Sequence, residues 1–485
     1  MTEFVTITKV NETYIHIECT SDIAQEFKEH FSFKAPNYQF MPSFRNKYWK
    51  GDVYLFNPAT NFIYCGLLPY IQNYCQERGY EIIYNSDFSS KEFSIIEAKN
   101  FLETIGLPES RKPRDYQIDA FAHAVRDRRK MLLSPTGSGK SLIIYSLIRY
   151  YKKKTLLIVP TTALIHQMYS DFEEYGFNSI DNIHKVYEGQ AINSDKPVFC
   201  CTWQSIYKLP KKWFSQFGLV IGDEAHLFKA KSLTTIMNKM EHCPYRVGFT
   251  GSLDNLEVNI LVLQGLFGSI RRVASTAELI EKKYLSEFSI KNIILGYSDE
   301  AKKYVNKLDF QGEMEYLILN EKRNRFISNL TISLKGNTLL LYQFVDKHGK
   351  PLYDLIKSLA PDRKIYFISG QVDGEERDNI RKIVETENNA IIIASYGTTS
   401  TGINIRNLHN IIFASPSKSR IRNLQSIGRV LRMSDNNVAA TLYDIADDLT
   451  YKNKMNYTLN HFIERIKLYN EEKFRYKVYK VSLNT

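Results

Sequence analysis

Eight consecutive residues, Ser134-Pro135-Thr136-Gly137-Ser138-Gly139-Lys140-Ser141, place two glycines, a lysine and a hydroxyl in the order that phosphate binding requires. The glycines let the backbone curl until several N–H groups face one anion, and a helix starting near the lysine adds its positive end. Lys140 would then reach the β and γ phosphates of a nucleotide, and the Ser141 hydroxyl would ligate Mg2+. Farther on, Leu219-Val-Ile-Gly-Asp223-Glu224-Ala-His226 closes an apolar run with two carboxylates, 86 residues after Gly137. The carboxyl end of a buried strand is where open α/β sheets bind their ligands. Asp223 would hold the metal, and Glu224 would polarise an attacking water. Alone, the string D-E-x-H also describes a solvated strand end; its place behind an apolar strand favours chemistry.

A third set lies in Gln425-Ser-Ile-Gly428-Arg429-Val-Leu-Arg432. Arg429 and Arg432 fall one helical turn apart, so both guanidiniums can face a γ-phosphate and stabilise charge during transfer; the alternative is a solvated basic face. Asn306-Lys-Leu-Asp309 matches the guanine-reading string of GTPases. It follows Lys302-Lys-Tyr-Val instead of an apolar strand and is assigned to chance.

Elements to hold these groups are legible as two series. Short apolar runs at Met131 to Leu133, Thr155 to Val159, Val198 to Cys201, Leu219 to Ile221 and Arg246 to Phe249 alternate with stretches of helical length. After about residue 290 a second series follows, with Thr338 to Tyr342, Lys364 to Ile368, Ala390 to Ala394 and Asn410 to Ala414 as strands. This alternation is the mark of parallel α/β layers, here two lobes. Before them, Phe4 to Val10 and Tyr14 to Glu18 alternate as strands and Ile23 to Phe31 reads as a helix, a small α+β unit closed by Leu107-Pro108-Glu-Ser-Arg-Lys-Pro113. Beyond 450, Leu459, Phe462, Ile463, Ile466 and Tyr469 fall at helical spacing, and 8 bases against 3 acids in 451–485 predict a basic amphipathic helix.

The 485 residues suffice for about three domains. No apolar run approaches the roughly 18 residues of a membrane span, and Met1-Thr-Glu-Phe-Val-Thr lacks a secretory pattern, so a cytoplasmic protein without membrane partners is expected. Six cysteines without C-x-x-C pairs argue against zinc and disulfide frameworks. The charge of +11 favours a polyanionic partner. It is uneven: residues 1–105 carry 9 bases and 13 acids, so the positive field belongs to the later domains. Within that acidic first domain, Phe44-Arg45-Asn-Lys47-Tyr48-Trp49-Lys50 interleaves bases with aromatics, which suits stacking on exposed bases; core aromatics with a basic rim are the alternative.

In serial order the motifs resemble those of superfamily 2 helicases, from about Arg114 to Arg432. The P-loop begins with Ser134, the small-residue variant such helicases use. Arg114-Asp-Tyr116-Gln117 looks like the adenine-reading motif, with Gln117 on the base edge. Val159-Pro160-Thr161 and Thr202-Trp-Gln204-Ser205 look like strand-contact motifs of the first lobe, and Thr250-Gly251-Ser252 like the motif coupling hydrolysis to movement. Ser400-Thr401-Gly402-Ile-Asn404 and the Gln425 to Arg432 string look like the last two motifs. With the N-terminal Phe31 to Arg45 segment and Trp213-Phe-Ser-Gln-Phe-Gly, the whole chain resembles UvsW-type helicases of T-even bacteriophages.

The resemblance implies two tandem RecA-like parallel-sheet lobes with a small N-terminal α+β domain and a C-terminal helical extension, divided as 1–107, 108–288, 289–450 and 451–485. It implies an ATP-dependent, Mg2+-requiring motor, moving 3′ to 5′, whose lobes close on ATP and bring Arg429 and Arg432 to the phosphates. Lys140, Asp223, Glu224, His226 and Gln425 would complete the catalytic set, with Gly402 and Asn404 at the nucleotide and Thr401 at the nucleic acid. Branched DNA, single-stranded DNA and RNA–DNA hybrids would be its partners, with phage recombination and replication proteins, and a monomer is expected in the infected host cell. An RNA helicase, a restriction motor and a non-catalytic binder on a motor fold are the alternatives.

Overall fold

The computed structural model describes residues 3–35, 38–251, 253, 257–370, 374–400, 407–416, 419, 427–428 and 439–483. The chain divides into two compact units, Met1–Ser134 with Gly139–Val273, and Ala274–Thr485 with the short segment Pro135–Ser138.

The first unit contains two larger sheets and a two-stranded one. Strands β1 (Phe4–Lys9), β2 (Tyr14–Glu18), β5 (Phe62–Tyr64) and β6 (Glu81–Tyr84) form a mixed sheet in the order β5-β2-β1-β6, while β3 (Ser32–Lys34) and β4 (Asp52–Tyr54) pair separately. Period-two alternation explains the first sheet: Val5, Ile7, Ile15 and Ile17 point inward, against Ile23 and Phe27 of helix Ser21–His30 and Ile71 of helix Leu68–Arg78. The second sheet holds β7 (Arg129–Leu133), β8 (Thr155–Val159), β9 (Ile183–Val186), β10 (Val198–Thr202), β11 (Leu219–Gly222), β12 (Tyr245–Thr250) and β13 (Ile270–Arg272), in the order β13-β7-β12-β11-β8-β10-β9. Its strand pairs are all parallel among the described residues, and β8, β10 and β11 are buried along their whole length, as helices on both faces require.

The N-terminal domain is fixed to this sheet. The fully buried Arg246 guanidinium donates to Thr13 Oγ1 at 2.8 Å and to the Met240 carbonyl at 2.6 Å. Tyr70 donates to Gln264 Oε1 at 2.7 Å, and Gly66 lies so close to the Gln264 carbonyl that a Cβ would collide with it.

The second unit is built on one parallel sheet of β14 (Phe288–Gly296), β15 (Thr338–Tyr342), β16 (Ile365–Ile368), β17 (Ile391–Ser395), β18 (Asn410–Phe413), β19 (Ala440–Asp448) and β20 (Tyr476–Ser482), in the order β16-β17-β15-β18-β19-β14-β20. Both seven-stranded sheets are RecA-like lobes. Asn306-Lys-Leu-Asp309 joins two helices, and Asp309 caps the second by accepting from Gly312 N at 2.8 Å, so the GTPase-like string has a structural use.

The C-terminal helix forms over Tyr457–Glu471, with Leu459, Phe462 and Tyr469 buried as the spacing predicts. Two features depart from a free basic helix. Ile463 points outward, 37% exposed, while Arg465 turns inward, 2% exposed. The residues after it form β20, which pairs with β14 and supplies the sheet's edge. Its Tyr-Lys-Val-Tyr-Lys-Val alternation hides a strand behind lysines because an edge strand needs little apolar surface.

Buried ion pairs secure this unit. Asp444 accepts from Arg465 Nε and Nη2, each at 2.8 Å, and from Tyr469 at 2.8 Å. Asp447 likewise accepts from Arg323 Nε at 2.8 Å and Nη2 at 3.0 Å, and from Tyr297 at 2.7 Å. His348 lies between Ser415 Oγ (2.9 Å) and Asn324 Oδ1 (3.1 Å). Burial, helped by the Arg323 charge, drives its imidazole down to about 3. Among the described residues no helix is long and apolar enough to cross a membrane.

Candidate functional site

The first lobe's sheet order brings distant motifs side by side. Strand β7 runs into the glycine-containing turn, and helix Lys140–Tyr151 begins directly after it with Gly139 as its N-cap. Gly139 has φ +78°, and a Cβ there would collide with Gln117 Nε2. That close approach allows the Gln117 amide to donate to the Gly139 carbonyl at 3.4 Å. The Gln117 carbonyl accepts from Arg114 N at 2.9 Å, and Arg114 Nη1 donates to Tyr116 at 3.0 Å. The three residues of the adenine-type motif thus form one cluster against the turn. Pro135 to Ser138 form the turn itself, where Gly137 has φ +84° and Ser138 donates to the Pro135 carbonyl at 2.6 Å.

Lys140 projects onto the paired carboxylates, 3.2 Å from Glu224 Oε1 and 3.6 Å from Asp223 Oδ1. Asp223 follows β11, its N–H donating to the Ile158 carbonyl at 2.9 Å. Glu224 has φ +50° and ψ +49°, a left-handed conformation that a non-glycine residue adopts at a cost of order 1 kcal/mol. That turn directs successive side chains to one lysine. His226 Nδ1 lies 3.3 Å from Glu224 Oε2 and 3.0 Å from Thr250 Oγ1. Thr250 ends β12, and its carbonyl accepts from Ser134 N at 2.8 Å, closing a loop from the carboxylates back to the start of the phosphate turn.

The two carboxylates are electrostatically unlike. Burial pushes Asp223 up and the neighbouring Glu224 adds to the rise, against the pull of Lys140. Burial also acts to raise Glu224, but Lys140 and His226 outweigh it and bring the carboxyl down to about 2. Asp223 Oδ1 and Glu224 Oε2 are both buried without a hydrogen-bond partner among the described residues. An orphaned carboxylate oxygen and a serine hydroxyl are hard donors of the kind Mg2+ takes, so Asp223 and Ser141 fit the metal. The Ser141 hydroxyl lies 2.8 Å from the Tyr175 hydroxyl, a contact that the sequence reading did not include. No local pattern signals it, since the two residues are 34 positions apart.

Along the carboxyl ends of β12, β11, β8 and β10 stand, in order, Thr250, Asp223, Pro160 with Thr161, and Thr202 with Gln204. Thr161 caps the helix Thr162–Glu174 by accepting from Leu164 N at 3.4 Å, and Thr202 bonds to Ser205 at 2.9 Å. Gln204 is exposed and Gly251 half-buried. In the N-terminal domain Tyr48 is 88% exposed, whereas Trp49 is half-buried and donates its indole N–H to the Asp52 carbonyl at 2.9 Å. Arg45 and Lys50 are exposed beside them. Ser252, Thr401, Gly402, Asn404, Gln425, Arg429 and Arg432 lie outside the described residues.

Three family models match separate parts of the chain. Residues 6–85 match the family described as DNA helicase UvsW, N-terminal; residues 110–255 match Type III restriction enzyme, res subunit; residues 321–434 match Helicase conserved C-terminal domain. The ATP-dependent DNA helicase uvsW of Enterobacteria phage T4 is 36% identical, over 97% of this chain and 98% of its own. The crystal structure of T4 UvsW superposes with a TM-score of 0.52 at 34% identity, covering all of both chains. The DNA 3′-5′ translocase XPB2 of Sulfurisphaera tokodaii is 27% identical over 44% of this chain and 48% of its own.

Proposed function

This chain belongs to the UvsW-type superfamily 2 helicases, ATP-dependent DNA helicases of phage, and on that premise we propose that it remodels branched DNA by unwinding R-loops, migrating junctions, regressing forks and annealing strands. One observation carries the finer reading: the likeness continues through the N-terminal domain at residues 6–85, outside the motor lobes. That domain exposes Tyr48 amid Arg45 and Lys50, a stacking platform with phosphate contacts for bases left unpaired at a branch point. Pro160, Thr161, Thr202, Gln204 and Thr401 are the track contacts, and travel is 3′ to 5′. Phage recombination and replication proteins act alongside the motor in the infected cell, and it works as a monomer.

In this reading Lys140 neutralises the β and γ phosphates, and Glu224, held ionised, polarises the attacking water. Asp223 and Ser141 would hold Mg2+, which would supply charge neutralisation at the phosphates. Gln117 reads the adenine edge. Gly402 and Asn404 contact the nucleotide, Gln425 belongs to the catalytic set, and Arg429 and Arg432 stabilise the developing charge. His226 lies against both Glu224 and Thr250, and Thr250, Gly251 and Ser252 couple hydrolysis to movement.

Steady-state ATPase measured alone and with single-stranded DNA, duplex, four-way junction, R-loop and single-stranded RNA, at one salt concentration, tests the proposal. Strongest stimulation by the junction or R-loop is expected, reduced in Tyr48→Ala. Stimulation by RNA alone would make the protein an RNA motor.

A further inference from the structure

Tyr175 reaches the phosphate turn from a different element. It caps helix Thr162–Glu174, with its N–H donating to the carbonyls of Asp171 and Phe172, each at 3.1 Å. Its ring packs at 5.4 Å from Tyr145, which belongs to the same helix as Ser141, and the residue is 7% exposed. Ring and backbone are therefore both held, and the phenolic oxygen stands 2.8 Å from Ser141 Oγ.

A serine that ligates a cation gives the cation a lone pair, and its O–H must then point to an acceptor. A phenolic oxygen has two lone pairs and can be that acceptor. We propose that Tyr175 is a positioning residue for nucleotide-bound Mg2+: it accepts the Ser141 hydrogen bond and so keeps the serine's lone pairs turned towards the cation. The proposal rests on the reading of Lys140 and Ser141 as the nucleotide and metal cradle. If Tyr175 were only a packing residue, removing its hydroxyl while keeping the ring would leave metal binding unchanged.

The test uses the full chain and a fluorescent ADP analogue, titrated with and without Mg2+. In Tyr175→Phe, affinity without Mg2+ is expected to match the wild type, while the Mg2+ concentration needed for half of the metal-dependent tightening rises by about tenfold. A second measurement guards against a general loss of packing. Ser141→Ala and the double variant Ser141→Ala/Tyr175→Phe should show the same Mg2+ dependence, because Tyr175 acts only through the serine. Unchanged Mg2+ dependence in Tyr175→Phe, or additive losses in the double variant, overturns the proposal and leaves the cradle reading intact. Equal nucleotide affinity in Lys140→Ala and wild type overturns the cradle reading and this proposal with it.

Discussion

Each unit buries a carboxylate against a cation, and the two sets are finished differently. In the second unit Asp444 receives three donors, two from Arg465 and one from Tyr469, so both of its oxygens are occupied. In the first, Asp223 Oδ1 lies 3.6 Å from Lys140 with no hydrogen bond among the described residues, and Glu224 Oε2 has the His226 ring beside it at 3.3 Å. Glu224 also carries a left-handed backbone, whereas Asp444 lies within a regular strand. A buried charge that serves the fold gains from a complete shell of donors, because each unmade bond costs about 1–3 kcal/mol. A buried charge that serves a ligand must leave lone pairs for it, and its strain is offset elsewhere. Saturation therefore separates the Asp444 carboxylate from the Asp223 carboxylate where burial alone does not.

The largest effect that sharpens this contrast is Lys140→Ala. Turnover should fall by at least about 10²- to 10³-fold, while DNA binding keeps its salt dependence. Phosphate release and anisotropy measure the two, and normal turnover by a folded variant would falsify the site. Next comes Arg465→Ala, which strands Asp444 and should lower stability by about 3–5 kcal/mol, read from the denaturant midpoint. Nucleotide binding by the first unit should survive it.

A third experiment uses His348, whose imidazole is held neutral down to about 3 against an ordinary value near 6.5. Below the ordinary value the unfolded chain takes up a proton and the folded one does not, so stability falls as the pH falls. Between pH 6.5 and 5 the loss should be about 2 kcal/mol, and His348→Gln should flatten it. The smallest change in stability is that of Asp223→Asn. Because burial already opposes the Asp223 charge, the amide should leave stability unchanged or raise it by about 1 kcal/mol, while ATPase is lost. A clear destabilisation would erase the distinction between the two sets.

What the sequence revealed depended on how each element is buried. Central strands such as Leu-Leu-Ile-Val in β8 are apolar throughout and stand out. Strand β19 is buried yet reads Ala-Thr-Leu-Tyr-Asp-Ile-Ala-Asp-Asp, because Asp444 and Asp447 enter the core already paired with distant arginines. Edge strands β9, β13 and β20 are short or lysine- and arginine-bearing and give no apolar run. At the site, Lys140, Asp223 and Glu224 were legible because local spacing carries their chemistry, and their mutual approach agrees with it. Tyr175 and the Ser134–Thr250 tie were not, since only the fold brings them close. In the N-terminal string, Tyr48 and Trp49 are neighbours with opposite fates, and nothing in the string says which turns outward.

Strand β14 is made long before either of its neighbours. It ends at Gly296, while β19 starts at Ala440 and β20 at Tyr476. The 144 residues from 296 to 440 take roughly 7–30 s at a ribosome's 5–20 residues per second. For that interval the segment with Ile290, Ile293, Ile294 and Leu295 lacks both strands that flank it in the folded sheet. The sheet of the second lobe can thus be completed only late in synthesis, from strands far apart in the chain.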